Sequence, residues 1–251
     1  MDDFAGIRCV VTGGASGIGA ATADMLIARG GSVVVVDRER PVDARADVEY
    51  LVCDIRDRAG VMTAITAAAS AMDGIDVVVN NAGIGADGDV SDADDEEWHR
   101  VLDVNVVGTA RVSAAALPFL RESSRAAIVN VSSVVAPVGV PRRAVYAASK
   151  GAVLSLTLAM AADHLADCIR VNAVLPGTAD TPWVERLLAA SPDPHAAGEA
   201  LRARQPMGRL VSTAEIAFAI CYLASPLAGS TTGTLLGVDG GMATLRVPAV
   251  R

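Results

Sequence analysis

Tyr146 and Lys150 stand four residues apart in VYAASK at 145–150, and Ser133 lies thirteen residues before the tyrosine. If a helix begins here, that spacing stacks the phenol and the ammonium on one face, one turn apart. A phenol titrates near 10 in water, so it acts as a base at neutral pH only when a cation stabilises the phenolate. Bringing it toward 7 or 8 takes about 3 to 4 kcal/mol, and an ammonium about 4 Å away at an effective dielectric near 20 contributes a few kcal/mol of that. Lys150 is the expected cation. The pair alone is weak evidence, since Tyr and Lys meet by chance on many solvated helix faces, so the elements around it must decide.

The apolar run at 7–11 leads into TGGASGIG at 12–19 and then a helical pattern over 20–29. Strand, glycine turn and helix are the context a dinucleotide fingerprint requires, because glycines let the backbone approach a pyrophosphate and the helix N-terminus faces it. A second strand pattern at 32–36 ends in Asp37, eighteen residues after Gly19, close to where a carboxylate meets the adenosine ribose. Its charge would repel a 2′-phosphate by about 1 to 4 kcal/mol, which favours NAD over NADP. Arg38 beside it reads as solvated surface.

Apolar strand patterns at 7–12, 32–36, 48–53, 75–80, 126–131, 169–174 and 235–238 alternate with helical ones. That alternation predicts an α/β chain, a single Rossmann-type domain over 1–251 with a doubly wound parallel sheet of about seven strands and helices on both faces. Ligands bind such sheets at the carboxyl ends of the strands. Thr12, Asp37, Asp54, Asn81, Ser133 and Pro176 all fall at or just past predicted strand ends. The acidic stretch 85–95 reads as a loop with solvated charges. The proline-bearing stretch 178–207, with a helical pattern at 183–190, departs from the alternation.

Of 251 residues, 52% are hydrophobic and 20% charged, with a formal net charge of −8. A chain this apolar folds, and one this acidic does not suit phosphate backbones, so no nucleic acid is expected. Cys9, Cys53, Cys168 and Cys221 are scattered without ligand spacing and read as buried small hydrophobes. His99, His164 and His195 do not cluster, so no metal is expected. The N-terminus lacks a signal pattern and no run of eighteen apolar residues occurs, which points to the cytoplasm and away from a membrane.

TGGASGIG, Asp37, CDI at 53–55, NNAG at 80–83, Asn105, Ser133, Tyr146, Lys150 and PGT at 176–178 together resemble the short-chain dehydrogenase/reductase family over essentially the whole chain. The resemblance implies hydride exchange between a nicotinamide cofactor and a carbinol carbon, with Tyr146 handling the hydroxyl proton. It implies that Ser133, rather than Ser132, holds the substrate oxygen, that Lys150 holds the nicotinamide ribose, and that Asn105 anchors a water on a proton path. By the same resemblance the cofactor meets Gly13, Ser16, Gly17, Ile18, Gly19, Asp37, Asp54, Ile55, Asn81, Ala82, Gly83, Pro176, Gly177, Thr178 and Thr181. A helix N-cap for residues 57 onward is the rival role for Asp54. The stretch 178–207 becomes the substrate-site lid, and helices over 96–121 and 149–166 become the contacts of a homotetramer.

Within the family, PGTADTP at 176–182 is similar to a subgroup of type 2 hydroxybutyrate and 2-keto-3-deoxy-fuconate dehydrogenases, whose arginines clamp a substrate carboxylate. Arg143, Arg186 and Arg204 match those positions, while Arg142 and Arg202 match nothing. A planar guanidinium suits the task because it meets a carboxylate with two bonds. The small-molecule substrate expected is therefore a hydroxy acid or sugar-acid derivative. An NADPH-dependent 3-oxoacyl-carrier-protein reductase is the alternative within the family, and a cofactor-sensing regulator the alternative outside enzymes.

Overall fold

Valine-rich runs build the sheet, and their two alternating faces explain why helices cover both sides. The computed structural model describes residues 2–247. In chain order it runs β1 (Arg8–Thr12), α1 (Gly17–Ala28), β2 (Ser32–Asp37), β3 (Glu49–Val52), α2 (Arg58–Met72), β4 (Val77–Asn80) and α3 (Asp95–Leu102). A π-helical turn (Asp103–Gly108) leads into α4 (Thr109–Arg121), then β5 (Ala127–Val131), α5 (Ala144–Asp163), β6 (Arg170–Pro176) and the short β7 (Ala179–Asp180). The chain finishes with α6 (Pro182–Ala189), α7 (Pro194–Ala203), β8 (Val211–Ser212), α8 (Thr213–Ala224) and β9 (Leu235–Val238).

Seven parallel strands lie in the order β3-β2-β1-β4-β5-β6-β9. All seven match the sequence patterns to within two residues at either end. Val11, Val35, Val79 and Val129 join α1 and α8 through Leu26, Ile216, Ile220 and Leu223 in one core layer. Their neighbours Val10, Val34, Val78 and Ile128 point the other way and meet Ile65, Val112, Leu120 and Met160 of α2, α4 and α5. Successive side chains of a strand alternate faces, so each apolar run fills two cores at once. The strand order reverses between β1 and β4, which leaves a crevice at their carboxyl ends.

Three sequence expectations change. The helix expected over 96–121 is interrupted by the π turn, and the helix expected over 149–166 starts earlier, at Ala144. Cys9, Cys53 and Cys221 are buried as expected, but Cys168 is exposed, with φ 58°, because it sits in the turn between α5 and β6 rather than within a packed run.

Candidate active site

The carboxyl ends of the strands open into a cleft of about 650 Å3, walled on one side by α6 and α7. Its floor is the glycine turn. Gly13 has φ 65°, and a Cβ there would stand 2.8 Å from the Ala82 Cα. A Cβ on Gly19 would run into the Gly13 carbonyl oxygen. The turn is locked to the neighbouring NNAG loop: Thr12 Oγ1 accepts from the N–H of Asn81 and of Ala82 at 3.1 Å each. Asn81 Nδ2 returns bonds to the Thr12 and Gly13 carbonyls at 3.0 and 2.9 Å. Asp37 Oδ2 accepts from the Ala15 N–H at 3.0 Å, so the acid at the end of β2 also braces the turn.

The capping role is taken by Asp57, which accepts from the Ala59 N–H at 3.0 Å and starts α2. Asp54 is left beside the cleft, paired with Arg56 at 2.7 Å. Arg56 holds its carboxyl below the usual carboxylate range, with the charge of Arg38 a lesser contribution. Arg38 is exposed, as expected, but borders the cleft instead of facing away from it.

Asn105 sits inside the π turn, and its amide is fully engaged there. Its Oδ1 accepts from the Ile84 N–H at 2.8 Å, while Nδ2 donates to the Ile84 carbonyl at 2.9 Å and to Ser149 Oγ at 2.9 Å. One side chain thus joins the 83–84 loop to α5. A Cβ on Gly83 would stand 3.1 Å from Asn105 Oδ1 and 3.3 Å from Lys150 Nζ, so only glycine leaves this corner open.

The serine pair divides by orientation. Ser132 Oγ donates to the Lys150 carbonyl at 2.9 Å and is a brace between β5 and α5, whereas Ser133 Oγ accepts from the Val135 N–H at 3.3 Å and lines the cleft with Tyr146. Lys150 is 5% exposed; its Nζ donates to the Val131 carbonyl at 2.9 Å and lies 5.9 Å from the centre of the Tyr146 ring. The expectation that Lys150 draws the phenol toward 7 or 8 does not hold in the protein alone. Burial pushes Tyr146 up, and what opposes it is the Ser133 hydrogen bond and the charge of Arg143. The same burial lowers Lys150 to about 8, because desolvation penalises the charged form of each partner.

Arg143, Arg186 and Arg204 all reach this cleft, while Arg142 and Arg202 do not. Desolvation lowers the Arg204 pKa, the Arg143 charge lowers it further, and Asp87 opposes both, so the two guanidiniums are close enough to repel. The acidic loop is not merely solvated: Asp87 pairs with Arg143 at 2.7 Å and with Arg142 at 3.0 Å, Asp92 pairs with Arg142, and Asp94 caps α3. Loop carboxylates with arginines next to them in space gain more from pairing than from water alone. Gly19 and Asn105 stand behind the cleft wall; every other expected cofactor or substrate residue lines it.

Sequence reasoning passed over Trp183, Arg100 and Gln205. Trp183 lines the cleft from α6, and a Cβ on Gly85 would stand 2.7 Å from its ring. Its signal was present: one of two tryptophans, just after Pro182 in the suspected lid. Gln205 is 1% exposed; its Nε2 donates to the Arg209 carbonyl at 2.6 Å, and its Oε1 has no partner among the described residues. With the β7–β8 pairing, Ala179 against Val211 and Asp180 against Ser212, it closes the base of the excursion that carries α6 and α7. Nothing in a polar ARQPMGR stretch marks that glutamine as buried.

A parallel sheet with this strand order, a glycine turn and a Ser-Tyr-Lys cluster at one crevice defines a dinucleotide-dependent oxidoreductase. A family model described as enoyl-(acyl carrier protein) reductase matches residues 13–243, and the chain belongs to the short-chain dehydrogenase/reductase family, enzymes that act on CH–OH donors with a nicotinamide cofactor. It is 40% identical to the cis-4-hydroxycyclohexanecarboxylate dehydrogenase of Sinomonas cyclohexanicum, over 95% of this chain and 97% of that one. It is 38% identical to 2-(S)-hydroxypropyl-CoM dehydrogenase 3 of Xanthobacter autotrophicus (94% and 96%) and 37% identical to the 2-keto-3-deoxy-L-fuconate dehydrogenase of Xanthomonas campestris (94% and 80%). Among solved structures, the aldohexose dehydrogenase of Thermoplasma acidophilum superposes with a TM-score of 0.92 at 33% identity, covering 100% of this chain and 98% of that one.

Proposed function

We propose that this protein is a cytoplasmic, homotetrameric NAD(H)-dependent dehydrogenase that interconverts a secondary alcohol bearing a carboxylate, a small hydroxy acid or sugar-acid derivative, with its ketone. The observation that carries the reading is the convergence of Arg143 and Arg204 on the cleft that holds Ser133 and Tyr146, with the Arg143 charge acting on both Tyr146 and Arg204. Asp87 offsets part of the repulsion between these two partly desolvated charges, and a substrate anion between them would offset more of it. The carboxylate of cis-4-hydroxycyclohexanecarboxylate, named in one relative, is such an anion.

The residues present fit a nicotinamide dinucleotide. The turn at Gly13 and Gly19 has no room for a Cβ, and Asp37 ends β2 where a ribose diol would lie, with a charge that disfavours a 2′-phosphate. The cofactor, when bound, exchanges a hydride with the carbinol carbon. Tyr146 takes the hydroxyl proton in oxidation and returns it in reduction, Ser133 holds the substrate oxygen, and Lys150 with Asn105 behind it stabilises the phenolate and passes the proton outward.

Substitution of the arginines tests the reading. Arg143→Ala, Arg186→Ala and Arg204→Ala each lower kcat/KM for a carboxylate substrate by about 2 to 4 kcal/mol and spare neutral alcohols. Arg202→Ala is the control. Arg142 is unsuitable as one, because it shares Asp87 with Arg143. If all four variants behave alike on every hydroxy acid, the substrate is neutral and the reading fails.

A further inference from the structure

The loop 86–92 is stitched to the start of α5 far more firmly than an exposed acidic loop requires. Backbone bonds run from the Gly88 N–H to the Arg142 carbonyl at 3.1 Å and from the Ala144 N–H to the Gly88 carbonyl at 3.2 Å. Arg142 spans Asp87 Oδ2 at 3.0 Å and Asp92 Oδ2 at 3.2 Å. On this frame, Asp87 Oδ1 accepts from Arg143 Nη1 at 2.7 Å, and the Ala86 carbonyl accepts from the same nitrogen at 3.1 Å. Among the described residues, Nη2 and Nε of Arg143 have no hydrogen-bond partner.

We propose that Asp87 is a positioning residue: it pins one end of the Arg143 guanidinium and so presents the opposite edge, Nη2 and Nε, to the carboxylate of the substrate. The inference rests on the anionic-substrate reading above. A guanidinium has five donors in a fixed fork, and a carboxylate needs only one edge of it. Asp87 uses a single nitrogen and leaves that edge available. An arginine left to itself would lose its rotamer freedom only on binding, a penalty that weakens binding by about two- to tenfold. Because Arg143 lies three residues before Tyr146 on the same helix start, the frame also ties the anion contact to the proton-handling residue, and the two move together.

The opposing possibility is that Asp87 competes with the substrate for Arg143. Its side chain is 54% exposed, so its charge is screened by water and salt while its hold on Nη1 persists. Orientation therefore outweighs competition.

The test compares Asp87→Ala, Asp87→Asn and Arg143→Ala with the wild-type holoenzyme, using cis-4-hydroxycyclohexanecarboxylate and its uncharged methyl ester as probes. Asp87→Ala raises KM for the acid by about three- to tenfold with kcat within about twofold, and the ester KM moves less than about twofold. Asp87→Asn keeps an acceptor for Nη1 and restores most of the loss. If both Asp87 variants lower KM for the acid, Asp87 is a competitor. If both leave it unchanged, Asp87 is a bystander; either result overturns the proposal. Should the wild type treat acid and ester alike, or Arg143→Ala weaken both equally, the anionic-substrate reading itself fails, an outcome the Asp87 variants alone cannot produce.

Discussion

Lys150 shows how far a single residue departs from what stability alone would choose. Its ammonium is buried with one carbonyl partner, and its pKa falls from 10.5 to about 8. Between those values the folded protein binds fewer protons than the unfolded chain, so stability from this group rises with pH across that window; below about 8 the full penalty is present. Lys150→Met therefore raises the melting temperature at pH 7 by about 4–8 °C, which corresponds to about 2 kcal/mol, and abolishes turnover. A scanning calorimeter and an oxidation assay check the two halves separately. Tyr146→Phe keeps the ring and removes the oxygen, so turnover falls by about two to four orders of magnitude while NAD binding persists. In the wild type, kcat/KM for oxidation rises with pH as the Tyr146 phenol deprotonates, and burial of the phenol moves that rise to higher pH, which a pH–rate profile checks. At the end of β2, Asp37→Asn retains an acceptor for the Ala15 N–H but removes the charge. The ratio of kcat/KM with NAD to that with NADP drops by about tenfold or more, measured with each cofactor in turn.

At the scale of elements, two devices place the chemistry. The first is the interlock between the β1–α1 turn and the NNAG loop, in which Thr12 and Asn81 satisfy four backbone groups. Gly19→Ala drives a methyl into the Gly13 carbonyl and within 2.5 Å of Asn81 Nδ2, so it weakens NAD binding more than tenfold by titration and lowers stability. The second is the closed base of the excursion that carries α6 and α7. Pro182 and Pro194 start α6 and α7 at positions where a missing N–H is harmless. Gln205→Leu leaves the Arg209 carbonyl without its donor, costs about 1–3 kcal/mol, and speeds hydrogen exchange in α7. Unchanged exchange there would show that the β7–β8 pairing alone holds α6 and α7 in place.

On the whole molecule, α5 and the π turn leave apolar side chains exposed. The helix α5 is the one among the described residues long and apolar enough to cross a bilayer, yet Val145, Val153, Met160 and Ala161 bury one side of it against the sheet. On its other side Leu158 is 46% exposed, and Val107 on the π turn is 39% exposed. Under the homotetramer proposed above, other copies of the chain would cover this surface through the helices within 96–121 and 149–166. Light scattering at micromolar concentration gives about four times the 25.6 kDa chain mass; a monomer there would refute the assembly.

The sequence by itself determined the architecture and most of the cleft, because strands buried on both faces must be apolar along their whole length and a glycine turn admits few backbones. Asp37, Asn81 and Ser133 were legible for that reason, each at or just past a strand whose end the sheet brings to one crevice, whereas Tyr146 and Lys150, on α5, were legible from their spacing of four. What tertiary structure alone decided lies where distant segments meet. The brace from Ser132 to Lys150, the capping of α2 by Asp57, and the π turn around Asn105 each depend on a partner that no local pattern specifies. The upward shift of Tyr146 is of the same kind, since desolvation is a property of the packed site and not of the tyrosine–lysine spacing. So is the pairing of Asp87 with Arg143 across more than fifty residues of chain, where charge finds charge only after the sheet has closed the distance.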